Sequence, residues 1–178
     1  PRISAAIGTG TLFAADMRGK AKGRWIDSAI QSMLVSSQGA AKCLQDFEAS
    51  ACTDLTGFGI IGHLIEMTKA SQVDAVVHLD ALPLLDGALN TVAAGILSSL
   101  QAQNLRLRRA IQDIESSSKH PAFPLLFDPQ TAGGLLAGIP RDNAAACVKE
   151  LQKMGYKDAC IMGHIEALSD RQAPIRIR

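Results

Sequence analysis

The sequence predicts an α+β fold, a mixed β-sheet with helices packed on it. Segments with apolar residues at helical spacing interleave with short β-rich runs such as "VDAVVHL", "DACIMGHIEAL" and "APIRIR". The interleaving follows no strict strand–helix–strand repeat, which argues against a regular doubly wound sheet. No linker and no internal repeat divides the chain, so residues 1–178 are expected to form one domain.

In chain order, "AAIGTGTLFAA" (Ala5–Ala15) predicts an extended strand bent at Gly8–Gly10, with the glycines shaping a hinge or a bulge. Asp27 then stands where it could cap a helix carrying Ile30, Met33 and Leu34. A second helix is expected from about Ser37 to Phe47, and a third over Ile60–Lys69, with apolar residues at 60, 61, 64 and 67. "VDAVVHL" predicts a strand ending at Asp80, and Leu82–Ala94 a short helix after Pro83. Residues 95–119 read as a loop, with a helical turn near Arg109–Ile114; Ser98, Ser99 and Asn104 in it carry no assigned role. "FPLLFDPQTAGGLLAGIP" predicts strand, turn and strand. Asp142 is expected to cap a helix running to Met154 and stopped by Gly155, before two closing strands.

Composition narrows the function classes. Of 178 residues, 47% are hydrophobic, and the formal net charge is +1. The chain can therefore bury a core, and it carries no global field that would steer it to nucleic acid. The basic run Arg18, Lys20, Lys22 and Arg24 has only Trp25 beside it. It reads as a solvated loop with room for a phosphate contact, since a nucleic-acid surface needs a stacking platform. No apolar run reaches the length of a membrane span. The four cysteines form no metal-binding spacing and are expected to be free, mostly buried thiols of a cytoplasmic protein. Position 1 is Pro with no signal-peptide pattern after it, so the chain is expected to be part of a longer polypeptide or a processed one.

"ACTDLTGFGIIGHLIEM" (Ala51–Met67) holds the chemistry. Gly57, Gly59 and Gly62 form G-x-G-x-x-G at the start of a helix, and Asp80 follows about twenty residues later, both features of a dinucleotide fingerprint. Against that reading, the place of a buried apolar strand holds Thr53, Asp54 and Thr56. Asp54 would also face a pyrophosphate, and two anions repel strongly in a cleft. A divalent cation between them removes the conflict, because Mg²⁺ is commonly held by one or two carboxylates together with substrate phosphates. Gly57 and Gly59 then let the backbone approach phosphate, a helix N-terminus offers its amides, and Thr53 and Thr56 supply hydroxyls. An Asp that merely caps the helix or closes a turn is the competing reading. His63, on the first turn of the helix, packs locally or contacts phosphate.

The same stretch closely resembles the A-x-T-D-V-T-G-F-G-L-x-G-H motif of selenophosphate synthetase (selenide, water dikinase). "IGTGTLFAADMRGKA", "LLFDPQTAGGLLAGIP" and "YKDACIMGHIEAL" resemble further motifs of that family, in the same order along the chain. The resemblance implies the C-terminal domain of an ATP-binding superfamily that includes aminoimidazole ribonucleotide synthetase. It implies an enzyme that turns ATP, selenide and water into selenophosphate, AMP and phosphate, with Mg²⁺-bridged ATP between two domains. It places Asp54 as a metal ligand and Thr53, Thr56, Gly57, Gly59 and His63 as phosphate-binding candidates. The catalytic Cys or selenocysteine, its Lys and most metal-binding aspartates belong to an N-terminal domain, so no catalytic residue is expected here. The family's homodimer rests largely on that other domain. Ala132 stands where the family usually has Ser. Another ATP-using member of the superfamily, or a non-catalytic nucleotide- or partner-binding regulatory module, is the alternative.

Overall fold

The computed structural model of the chain describes residues 2–112 and 114–178; Asp113, inside the helical turn expected near Arg109–Ile114, lies outside them, as does Pro1. The strands form two four-stranded sheets rather than one. The first contains β1 (Arg2–Ile3), β2 (Ala51–Asp54), β5 (Leu135–Gly138) and β6 (Cys160–Ile161), in the order β2-β5-β1-β6 with every pairing antiparallel. The second contains β3 (Val73–Val77), β4 (Ile111–Gln112), β7 (Gly163–Ala167) and β8 (Ile175–Ile177), in the order β4-β8-β3-β7. It is mixed: β3 runs antiparallel to β7 and parallel to β8.

Eight α-helices and three short 3₁₀ helices complete the described chain; the α-helices are α1 (Thr9–Asp16), α2 (Gly23–Leu34), α3 (Gln38–Asp46), α4 (Gly59–Ser71), α5 (Ala88–Ala93), α6 (Gln101–Asn104), α7 (Ile114–Ser117) and α8 (Ala144–Lys153). The α4 helix carries Ile60, Ile61 and Leu64 into the main core, where they meet Val77, Ile175, Leu125, Leu126 and Phe127. A second cluster joins α3 and α8 through Ala40, Leu44, Cys147 and Leu151, and a third joins α1 and α2 through Leu12, Trp25 and Ala29. Cys43 and Cys147 fill the α3–α8 seam as small apolar groups, whereas Cys52 is exposed.

Six local expectations need correction. Ala5–Ala15 is not a bent strand: past an isolated bridge from Ile7 to Leu84 it becomes α1, because side chains from far along the chain cap that helix, as described below. Phe123–Phe127 is a 3₁₀ helix, with Pro124 in its first turn suited to a helical start and not to a sheet ladder. Asp27 sits inside α2, which already starts at Gly23, and Asp142 precedes α8 in a turn, so neither caps a helix. The β3 strand stops at Val77, with Asp80 in a 3₁₀ turn over Leu79–Ala81. The loop expected over 95–119 contains α6, a 3₁₀ helix over Leu105–Ala110, β4 and α7. The α3 and α4 helices hold to within a few residues of expectation, and Gly155 follows α8 with φ of 100°, as a helix stop requires.

The two sheets are stitched where the chain passes from β6 to β7. Met162 is fully buried there, and its carbonyl accepts the His78 amide at 2.9 Å. A Cβ on Gly163 would lie 1.8 Å from the Val76 carbonyl oxygen. Gly163→Ala is therefore expected to break the β3–β7 ladder and cost more than about 3 kcal/mol; a urea midpoint close to wild type would contradict this.

Candidate phosphate-binding site

The G-x-G-x-x-G segment leaves β2 at Asp54 and enters α4 at Gly59. β2 is an edge strand whose residues alternate between half-buried and exposed, with Cys52 and Asp54 on the exposed face. Partial burial and the nearby Asp54 charge together push the Cys52 thiol up from its ordinary value. β2 and β3 lie in different sheets, so the strand–helix–strand unit of a dinucleotide fold does not form around α4. That removes the dinucleotide reading.

The competing reading of Asp54 as a cap also falls. The N-cap position of α4 is Phe58, with no side-chain capping bond. Among the described residues the Asp54 carboxylate makes no hydrogen bond or ion pair, and it is exposed at the end of its strand. A carboxylate left without an internal partner beside an uncapped helix N-terminus suits a cation shared with a ligand's phosphates. Alone it is one ligand, and no group of three or more His, Cys, Asp or Glu that could hold a metal exists among the described residues.

The three glycines have different reasons. Gly59 has φ of 66°, and a Cβ there would meet the Leu126 and Asp128 carbonyl oxygens at 2.9 and 3.0 Å. Its small size lets the 126–128 backbone pack on the helix start. A Cβ on Gly62 would strike Phe58 at 2.5 Å. Gly57 has neither constraint: nothing lies within 4 Å of where its Cβ would be. Packing thus explains Gly59 and Gly62 but not Gly57, which borders an open cleft of about 400 Å³ with Phe13, Met17, Leu97, Leu100 and Gln130. That volume suits a small-molecule ligand. Arg18 stands on the same cleft, while Lys22 lies over the Trp25 ring at 5.1 Å and Arg24 pairs with Asp86 at 3.6 Å.

Three groups hold the loop from behind. His63 is buried on α4, and its Nε2 accepts the Thr56 amide at 3.1 Å and lies 3.1 Å from the Thr56 hydroxyl. The ring's proton therefore belongs on Nδ1, and the side chain supports Thr56 from beneath the loop. The turn at 130–134 lies alongside: the Gln130 amide donates to the Thr56 carbonyl at 3.0 Å and the Gly133 amide to the Leu55 carbonyl at 3.1 Å. Asn104 donates to the Gly57 carbonyl at 2.8 Å. The Thr53 hydroxyl donates to the Asp54 carbonyl at 3.3 Å.

Asp128 and Gln130 commit their side chains to capping α1, and Gln130 does so at the border of the cleft. Gln130 Oε1 accepts the Gly8 amide at 2.9 Å and the Thr9 amide at 3.3 Å, and Asp128 Oδ2 accepts the Gly10 amide at 3.0 Å. Gln130 Nε2 donates back to Asp128 Oδ2 at 2.9 Å. Burial pushes the Asp128 carboxyl up to about 7, against the opposing pull of Gln130 and the Gly10 and Thr11 amides. Ala132, where the family usually carries Ser, takes a φ of 50° in the same turn. His78, His120 and His164 lie away from the loop, His120 paired with Asp80 and His164 with Glu166, each at 3.1 Å.

A family model described as "AIR synthase related protein, C-terminal domain" matches residues 4–172. The chain belongs to this family. Among curated relatives, the selenide, water dikinase of Clostridioides difficile (strain 630) is 30% identical over 163 residues, covering 92% of this chain and 47% of that protein. The selenide, water dikinase of Geobacter metallireducens (strain ATCC 53774 / DSM 7210 / GS-15) is 35% identical over 134 residues, 75% of this chain and 39% of that protein. The chain thus spans less than half the length of these relatives. Among solved structures, hydrogenase maturation protein HypE matches with a TM-score of 0.68 at 16% identity, over 98% of this chain and 47% of that chain. HypE in complex with ATP matches with a TM-score of 0.60 at 15% identity, over 99% and 46%. At such identities these two likenesses show the fold alone. The α+β fold and the synthetase-type C-terminal domain that the motifs implied are those the family match and the sheets display.

Two outcomes follow. Gly57→Ala is expected to leave the thermal midpoint within about 2 °C of wild type, whereas Gly59→Ala, with its positive φ and backbone contacts, costs about 2 kcal/mol or more; equal midpoints for the two would contradict the packing account. For Asp128, the folded value of about 7 lies above the ordinary 3.8. The folded state therefore keeps its proton longer, and this stabilisation is full at low pH and is lost as pH rises through about 7. Relative to Asp128→Asn, wild type should lose roughly 1.4 kcal/mol per pH unit between those values; parallel stability–pH curves for the two proteins would refute it.

Proposed function

We propose that this chain is the C-terminal domain of a selenide, water dikinase, acting within one polypeptide beside an N-terminal domain that carries the catalytic residues. The observation that carries the reading is the unpaired Asp54 next to Gly57, the one motif glycine that packing does not require. The relatives' name, selenide, water dikinase, directs it to selenide and water, and the motif resemblance adds ATP as phosphate donor and selenophosphate, AMP and phosphate as products.

In this reading the chain binds and orients the nucleotide. The start of α4 presents its positive end to phosphate oxygens, and Gly57 lets the ligand approach the backbone. Thr53 and Thr56 stand on either side of Asp54 and Leu55, and His63 fixes Thr56 from below. Asp54 would supply one carboxylate to Mg²⁺, with the remaining ligands expected from the other domain; the bound ion would neutralise phosphate charge during transfer. A homodimer built chiefly by the other domain and a cytoplasmic location accompany the proposal. No helix among the described residues is long and apolar enough to cross a membrane.

The test is Asp54→Asn in the full polypeptide. Selenide-dependent AMP formation is expected to fall at least about 100-fold, on the scale of losing one ligand of a charge-neutralising site, with an unchanged circular dichroism spectrum. Turnover near wild type would sink the assignment of Asp54, and ATP turnover indifferent to selenide would point to another activity of the superfamily.

A further inference from the structure

Asn104 belongs to no motif, yet it is 6% exposed and its carboxamide nitrogen is shared between two carbonyls. It donates to Gly57 at 2.8 Å and to Phe127 at 3.0 Å. One carbonyl belongs to the open glycine of the phosphate loop, the other to the residue before Asp128. The α6 helix that carries Asn104 is fixed at its other end as well: Gln101, 3% exposed, donates to the Pro124 carbonyl at 2.6 Å. Leu97–Leu100, directly before α6, form the cleft wall that also borders Gly57. Asn104 therefore sets the distance between that wall and the loop.

We propose that Asn104 is a positioning residue of the nucleotide site, locking the Gly57 carbonyl so that the loop and the 97–100 wall form one preorganised cleft. This rests on the reading of the loop as a phosphate site. The chemistry favours an amide at this position. Both partners are carbonyl oxygens, so only a donor can bridge them, and a buried carbonyl left without a donor is costly. A loop fixed before the ligand arrives binds with less ordering cost.

The experiment uses Asn104→Ala and Asn104→Asp in the full polypeptide, with Gln152→Ala on α8, which removes a hydrogen bond to the Ala159 carbonyl beyond that helix, as a control for simple destabilisation. Amide hydrogen exchange over residues 55–60 is expected to speed up at least about tenfold in Asn104→Ala, the scale of one lost hydrogen bond. KM for ATP should rise by about the same factor, with kcat less affected. Asn104→Asp should be worse, because a carboxylate then faces two carbonyls, and Gln152→Ala should change neither readout. Unchanged exchange at 55–60 would overturn the lock. Faster exchange with an unchanged KM would overturn its role in binding, while the phosphate-site reading itself stands or falls separately with Asp54→Asn. If the Asn104 variants do not fold, exchange on the wild-type protein decides. ATP must then protect residues 55–60 and 97–104 in step, and protection of one segment alone overturns the proposal.

Discussion

One turn organises this domain. Asp128 and Gln130 reach across some 120 residues of sequence to take the first amides of α1. A helix of eight residues has little stability of its own, and its N-terminal donors need partners when buried. The Asp128–Gln130 turn supplies them, and the same turn donates its backbone to Leu55 and Thr56. Helix, turn and phosphate loop are thus one hydrogen-bonded unit. A fold built this way keeps the loop's shape independent of the ligand that the loop is proposed to bind. It also explains why α1 ends in an open cleft: the N-terminal end of the helix is consumed by its cap, and Phe13 in its second half, with Met17 and Arg18 just past its end, is left to line the wall.

The division of labour around α4 follows from the same economy of partners. Every group that could compete for the loop is turned inward: His63 to Thr56, Asn104 to Gly57, Gln130 to α1. Asp54 is turned outward with no such partner. Other exposed carboxylates share that freedom; what sets Asp54 apart is its place beside the uncapped start of α4, where the proposed ligand's charge would be met. The two-sheet arrangement supports this, because it ends β2 at an exposed edge and sends α4 across to the other sheet.

Much of this was legible in the sequence. The α4 helix could be read because its apolar residues repeat at helical spacing; Asp54 stood out because a dinucleotide loop has no use for a carboxylate, and its role as a metal ligand is a proposal. The family could be read because four motifs appear in order along the chain. Apart from Phe123–Phe127, where the local Pro124 was the sign of a helical start, the misses at the site share one kind of reason. Nothing local to Ala5–Ala15 marks a helix start, since its cap lies at Asp128 and Gln130. Gly57 and Gly59 look equivalent in sequence, and only the closeness of the Leu126 and Asp128 carbonyls separates them. Asn104 was hidden in a polar stretch, because a donor shared by two distant carbonyls leaves no pattern along the chain.

In the proposed function, Asp54 and the Gly57 loop meet phosphate through a divalent cation. The most direct measurement is a crystal structure of the full polypeptide with Mg²⁺ and a non-hydrolysable ATP analogue. The account predicts an Asp54 carboxylate oxygen at about 2.1 Å from an ion that also contacts phosphate, with that phosphate against Gly57 and the start of α4. An ion held without Asp54, or phosphates bound away from this loop, would contradict it.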